Sequence, residues 1–256
     1  MKRSNPNLLF TILVLWAVTL VTACAGSPTS EPTPEFQVLL PSLQPTSFSP
    51  SSDVMGAETE PAVTTVLVET FKWFGTNPNI GTLIEDTEST LVRMPHGVYM
   101  TFKTSGLTPG DAVTIWWVIY NKPENCSNGE CGLDDVFMAD ESGQILFDES
   151  GAPLPNMDAR EAVGFSSLRA DGKVIENDGS ADFRGHLPIG DVTESYAGPG
   201  LLDPMNEEFH LLARTHGPAI PGSTHLQLNS DWGGCPEKWK DPCADLQAAV
   251  HRPPEH

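Results

Sequence analysis

From residue 62 onward the chain is built of short apolar or alternating runs separated by turn chemistry, and no amphipathic helical pattern of useful length appears. Residues 64–73 are β-branched and aromatic, and residues 97–104 alternate apolar with polar. Leu107-Thr108-Pro109-Gly110-Asp111 is a turn signal leading into residues 112–120, the best strand in the chain. A period of two sends Val113, Ile115, Trp117 and Ile119 one way and Thr114, Trp116, Val118 and Tyr120 the other. Both faces are largely apolar, so this strand should lie centrally in its sheet.

Asp140-Glu141-Ser142-Gly143 recurs eight residues later as Asp148-Glu149-Ser150-Gly151, with a short strand predicted at 144–147 between the two turns. Asp171-Gly172 and Asp178-Gly179 are hairpin candidates around 173–176, and residues 207–215 form a further strand. The Asp-rich turns lack the spacing of a calcium loop and read as turn chemistry. Many short strands with Gly and Asp turns predict an all-β domain, an antiparallel sandwich or barrel.

The N-terminus has a different character. Residues 8–23 are uncharged and mainly apolar, follow Lys2 and Arg3, and end in Val21-Thr22-Ala23-Cys24. The run is shorter than the roughly 20 residues of a membrane-spanning helix, and its flanks are those of a secretory signal. Val-Thr-Ala-Cys resembles a lipobox, which makes Cys24 the expected lipidation site and residues 1–23 a lipoprotein signal peptide. The chain would then sit at the cell membrane or outer membrane, facing outside the cytoplasm and attached through its N-terminal lipid only. Half of residues 27–61 are Pro, Ser or Thr, so residues 24–61 read as a disordered tether with a reach of about 30 Å. Residues 62–256 suit one domain.

A formal net charge of −20 argues against nucleic acid, which offers such a chain no counterion release and repels it. The partner is expected to be an extracellular or periplasmic ligand of unspecified kind. With Cys24 lipidated, Cys126, Cys131, Cys235 and Cys243 remain. Export favours disulfides, and four cysteines permit three connectivities. Closing the local pairs 126/131 and 235/243 contributes roughly 2 to 3 kcal/mol each. Bridging between the pairs would give more, but the flanking Asn, Gly and Pro residues permit the tight turns that local bridges need. A zinc site competes, although there is no Cys-x-x-Cys.

On the strand through residues 208–216, His210, Leu212, Arg214 and His216 share one face, while Phe209, Leu211 and Ala213 share the other. His225 follows on an extended run, where a turn at 217–222 could return it beside His216, and His251 lies near the end. His210, Arg214, His216 and His225 are therefore the candidate binding residues. The metal alternative takes His216, His225 and His251 as ligands, for which Zn or Cu would be the natural ion. No cofactor is favoured, because same-face residues six apart on a flat strand stand about 20 Å from one another. Gly-x-Ser-x-Gly, His-Glu-x-x-His and Gly-x-x-x-x-Gly-Lys are all missing, and no catalytic residue is assigned.

Two blocks resemble an uncharacterised family of exported bacterial proteins. The first runs from Thr104-Ser105-Gly106-Leu107 through Trp116-Trp117-Val118 to Asn121-Lys122-Pro123, Cys126 and Cys131-Gly132-Leu133-Asp134-Asp135. The second runs from His210-Leu211-Leu212-Ala213-Arg214-Thr215-His216 to Pro221-Gly222 and Gly233-Gly234-Cys235. The resemblance implies an exported domain carrying these cysteines and this His/Arg strand, and it implies no activity. A tethered binding or surface-interaction domain follows, with a metal-dependent protein or enzyme as the alternative.

Overall fold

The computed structural model describes residues 60–72, 79–236 and 243–254. The expected signal peptide, Cys24 and nearly all of the tether lie outside the described residues. Two antiparallel sheets face one another, and neither closes into a barrel. The small sheet has the order β1-β4-β5-β8, from β1 (Ala62–Val66), β4 (Glu88–Met94), β5 (Gly97–Thr104) and β8 (Ala181–Pro188). The large sheet has the order β3-β2-β11-β10-β6-β7-β9. Its strands are β2 (Glu69–Lys72), β3 (Asn79–Leu83), β6 (Asp111–Tyr120), β7 (Phe165–Val174), β9 (Ser195–Ala197), β10 (Glu208–Pro218) and β11 (Cys243–His251). Of the two expected architectures, sandwich or barrel, the sandwich is the one observed.

The alternation seen in the sequence sets the core. On β5, Val98, Met100 and Phe102 are buried while Tyr99, Thr101 and Lys103 face solvent. On β6 all ten residues are buried. Val113, Ile115, Trp117 and Ile119 pack between the sheets with Phe209, Leu211 and Ala213 of β10, and the rings of Trp117 and Phe209 meet edge to face at 6.1 Å. The opposite face of β6 carries Val118 and Tyr120 into a second cluster on the outside of the large sheet, with Phe71, Cys126, Cys131, Phe137 and Ala248. Strand β6 is thus central, as its two apolar faces predict.

A buried arginine ties the two sheets together. Arg93 points inward from β4 and donates to the carbonyls of Pro204, Glu207, His251 and Arg252 at 2.7–3.0 Å. Its guanidinium also lies 4.8 Å from the centre of the Phe209 ring. Burial lowers its pKa to about 10, so it keeps its charge at neutral pH.

Three sequence expectations are corrected. The run at 64–73 is two strands rather than one. The chain crosses from the small sheet to the large one at Val68, whose N–H donates to the Thr87 hydroxyl at 3.1 Å, and Trp73 lies outside the described residues. Asp171-Gly172 lies inside β7, paired with Ile115 and Thr114; Asp178-Gly179 is the turn between β7 and β8. Residues 144–147 form isolated bridges rather than a strand. The turns around them match the sequence reading: Asp140 Oδ1 accepts from Ser142 N, Ser142 Oγ and Gln144 N, and Asp148 Oδ1 does the same with Ser150 and Ala152.

Candidate functional site

The outer face of the large sheet is not left to water. After β6 the chain makes a long excursion, residues 121–164, that crosses this face before returning through the short helix α1 (Met157–Ala162) into β7. Cys126 and Cys131 are joined, with Cα atoms 4.9 Å apart. Asp135 fixes the same loop by accepting from Ser127 N at 2.7 Å and Gly132 N at 2.9 Å. Tyr120 Oη donates to Gly132 O at 3.0 Å, anchoring the loop to the sheet below. Burial pushes the Tyr120 phenol well above its ordinary pKa. Arg160 of α1 donates to Val136 O and lies over the rings of Phe137 and Phe165.

Between this roof and the sheet runs a groove of about 1140 Å³. Its floor is Val118 and Tyr120 of β6, Phe165 and Ser167 of β7, Leu212 of β10 and Ala248 of β11; Tyr196, 62 % exposed, stands at its margin. The lining also carries charged groups, among them Glu69, Glu130, Arg160, Glu208, Arg214 and Arg252. Glu208 and His210 face the groove side by side on β10, with His210 Nε2 donating to Glu208 Oε1 at 2.7 Å. The His210 ring lies 5.0 Å from that of Tyr120.

Arg214 also borders the groove, yet its guanidinium is engaged by neighbours. It donates from Nε and Nη2 to the two oxygens of Asp245, at 2.7 and 3.2 Å, and from Nη1 to Asp231. Its planar group lies 4.3 Å from the Trp232 ring and 5.2 Å from that of Trp116. Burial works against the charge, but the two carboxylates outweigh it and hold the pKa above the ordinary arginine value. This arrangement fixes the loop at 229–235 to the sheet.

The remaining histidines stand apart. His216 is buried in a chain of hydrogen bonds: Trp116 Nε1 donates to Thr114 Oγ1 at 2.9 Å, the Thr114 hydroxyl to His216 Nε2 at 3.0 Å, and His216 Nδ1 to Gly233 O at 3.1 Å. A carbonyl can only accept, so Nδ1 carries the proton and the ring is neutral. Burial, reinforced by nearby Arg214, lowers its pKa to about 4. His251 lies between the hydroxyls of Thr64 and Ser89, at 2.9 and 2.8 Å, and burial together with Arg93 lowers it to about 3.

His225 does not return beside His216. The run expected to be extended is instead the helix α2 (Thr224–Leu228), entered after the left-handed Gly222, and it leaves His225 exposed against Asn229. Gln227 makes the return in its place, donating to His216 O and Pro218 O at 3.2 and 3.0 Å. Of the four candidate binding residues, His210 and Arg214 border the groove, whereas His216 and His225 do not. Among the described residues no group of three His, Cys, Asp or Glu side chains is placed to hold a metal, and His216, His225 and His251 are in three separate surroundings.

Cys235 and Cys243 are joined, with Cα atoms 5.8 Å apart, securing the end of the 229–235 loop to β11. Gly233 in this loop admits no side chain, since a Cβ there would lie 2.1 Å from Leu226 O. Two local disulfides are the mark of a domain that folds in an oxidising, non-cytoplasmic compartment. Sequence reasoning missed Glu208, Tyr120, Asp231, Trp232, Asp245 and Gln227. Only Glu208 carried a readable signal, because it precedes His210 by two on the same predicted strand face. No protein-family model, curated protein or solved structure matches this chain, so the groove and its chemistry carry the functional reading.

Proposed function

We propose that this chain is a lipid-tethered, extracytoplasmic binding module whose ligand lies in the groove over the large sheet. The observation that supports this best is an apolar sheet face beneath a disulfide-pinned roof that stays about 1140 Å³ clear of it. A face meant only to be covered would be packed shut, as protein interiors are. The volume lies just above the usual span of small-molecule sites, roughly 300–1,000 Å³, and aromatic and aliphatic walls with placed polar groups are their usual chemistry. The ligand therefore has an extended apolar body. Lipidation at Cys24 and attachment to a membrane through it rest on the apolar run at 8–23 and the Val-Thr-Ala-Cys sequence. The resemblance to exported bacterial proteins agrees with this address.

Fluorescence titration of the domain with the neutral apolar dye Nile red tests the groove. Saturable binding is expected, and it is lost in Ser167→Trp, which places an indole over the floor without disturbing a side-chain hydrogen bond. Circular dichroism confirms the fold of that variant. Absence of binding, or equal binding by Ser167→Trp, contradicts the reading. Detergent partitioning of wild type and Cys24→Ser tests the anchor: the wild type enters the detergent phase and the variant does not.

A further inference from the structure

We infer that the groove selects a ligand with a cationic head, an amine or ammonium on an apolar body, and that Glu208 receives the charge. This rests on the groove being a binding site and goes further by naming the class of ligand. Glu208 is 5 % exposed and borders the groove. Its Oε1 accepts from His210 Nε2 at 2.7 Å, and among the described residues Oε2 has no hydrogen-bond partner. A largely buried carboxylate whose second oxygen stays open to the groove offers an acceptor to a charged or donating group there.

The other cations at the groove already have carboxylate partners. Arg214 lies between Asp231 and Asp245, and Arg252 reaches Glu130 at 2.9 Å. Among the described groove residues, Glu69 and Glu208, the latter beside His210, then have one further arginine near them, Arg160, whose guanidinium lies over two aromatic rings and donates to a main-chain carbonyl. The groove is therefore net negative within a chain of formal charge −20, which attracts a cation and repels an anion. The lining is aromatic here too, with the rings of Tyr120 and Phe165 meeting edge to face at 6.2 Å. Arg160 already shows a cation seated on one of these rings.

Displacement of Nile red by decylammonium, decanol and decanoate, all below micelle-forming concentration, separates the head from the body. In wild type, decylammonium is expected to bind about tenfold more tightly than decanol, with decanoate the weakest. Glu208→Gln is expected to bring the ammonium-to-alcohol ratio to within about twofold, the charge being gone while the shape remains. Glu141→Gln, on an exposed turn, should keep the full ratio. Tightest binding by decanoate would make Arg160 the recognition group and overturn the inference. Equal binding of ammonium and alcohol in wild type, or a ratio unaltered in Glu208→Gln, would overturn it too, while leaving the groove itself intact. Failure of Nile red to bind wild type would remove the groove reading and the cation inference with it.

Discussion

The outer faces of the two sheets are built on opposite rules. On the small sheet, Tyr99, Thr101 and Lys103 of β5 stand in water beside Arg184 of β8, and the strand alternates between core and solvent. On the large sheet, β6 and β10 carry apolar groups on the outer face as well, and the 121–164 excursion covers them with its own cluster. Water suffices for a face of polar side chains, whereas an apolar face must be covered by protein or ligand. The roof covers only part of it, and the groove is the remainder.

Matched substitutions on the two faces probe this difference. Trp117→Ala in the core and Trp116→Ala on the outer face should each cost up to about 5 kcal/mol, because both indoles are buried. Tyr99→Ala on the small sheet should cost under about 1 kcal/mol, its ring being stacked on His186 at the surface. Denaturant melts measure all three, and a cheap Trp116→Ala would return the outer face of the large sheet to the ordinary solvated kind. Arg214→Ala should cost about 4 kcal/mol by leaving Asp231 and Asp245 buried without their counter-charge. Arg184→Ala, whose pair with Asp182 is exposed, should leave the melting midpoint unchanged.

Acid should act through the buried histidines. The folded pKa values of His216 and His251, about 4 and about 3, lie below the ordinary 6.5. Their contribution is present above pH 6.5 and is lost as pH falls toward those values. At about 1.4 kcal/mol per unit of pKa, the loss is on the order of a few kcal/mol. Glu207 runs the other way. Its pKa is raised to about 7, chiefly by burial, so it favours the fold more as pH falls from 7 toward 4.5. His216→Gln should flatten the decline of the urea midpoint between pH 6.5 and 4, and Glu207→Gln should steepen it; slopes that do not change would contradict these environments. Cys126→Ser with Cys131→Ser should cost about 2 kcal/mol, from a short closed loop. The pair should weaken Nile red binding as the roof loosens. Unaltered binding would mean that Asp135 and Tyr120 suffice to hold the roof.

What was legible in the sequence was local. Strand β5 was expected at 97–104 and lies there, β6 at 112–120, and β10 at 207–215, because a period of two is visible without knowing any partner. The opposite facing of Trp116 and Trp117 followed from the same period. Where tertiary contacts outweigh local preference, the reading failed. Asp171-Gly172 has turn chemistry, but pairing with β6 keeps it in a strand, where Asp171 Oδ2 accepts from Arg184 N at 3.0 Å. Residues 224–228 are helical because Gly222 turns the chain and Gln227 is drawn in toward His216 and Pro218. The partners of Arg214 lie 17 and 31 residues away, and neither separation leaves a trace in the sequence pattern.

Methyl NMR with decanol as a neutral probe compares the two faces within one sample. The resonances of Val118, Leu212, Ala248 and Val250, which border the groove, should shift in a saturable manner, while those of Val63 and Val92 on the outer face of the small sheet stay in place. Shifts spread equally over both faces, or confined to Val63 and Val92, would contradict the assignment of the roofed sheet as the binding face.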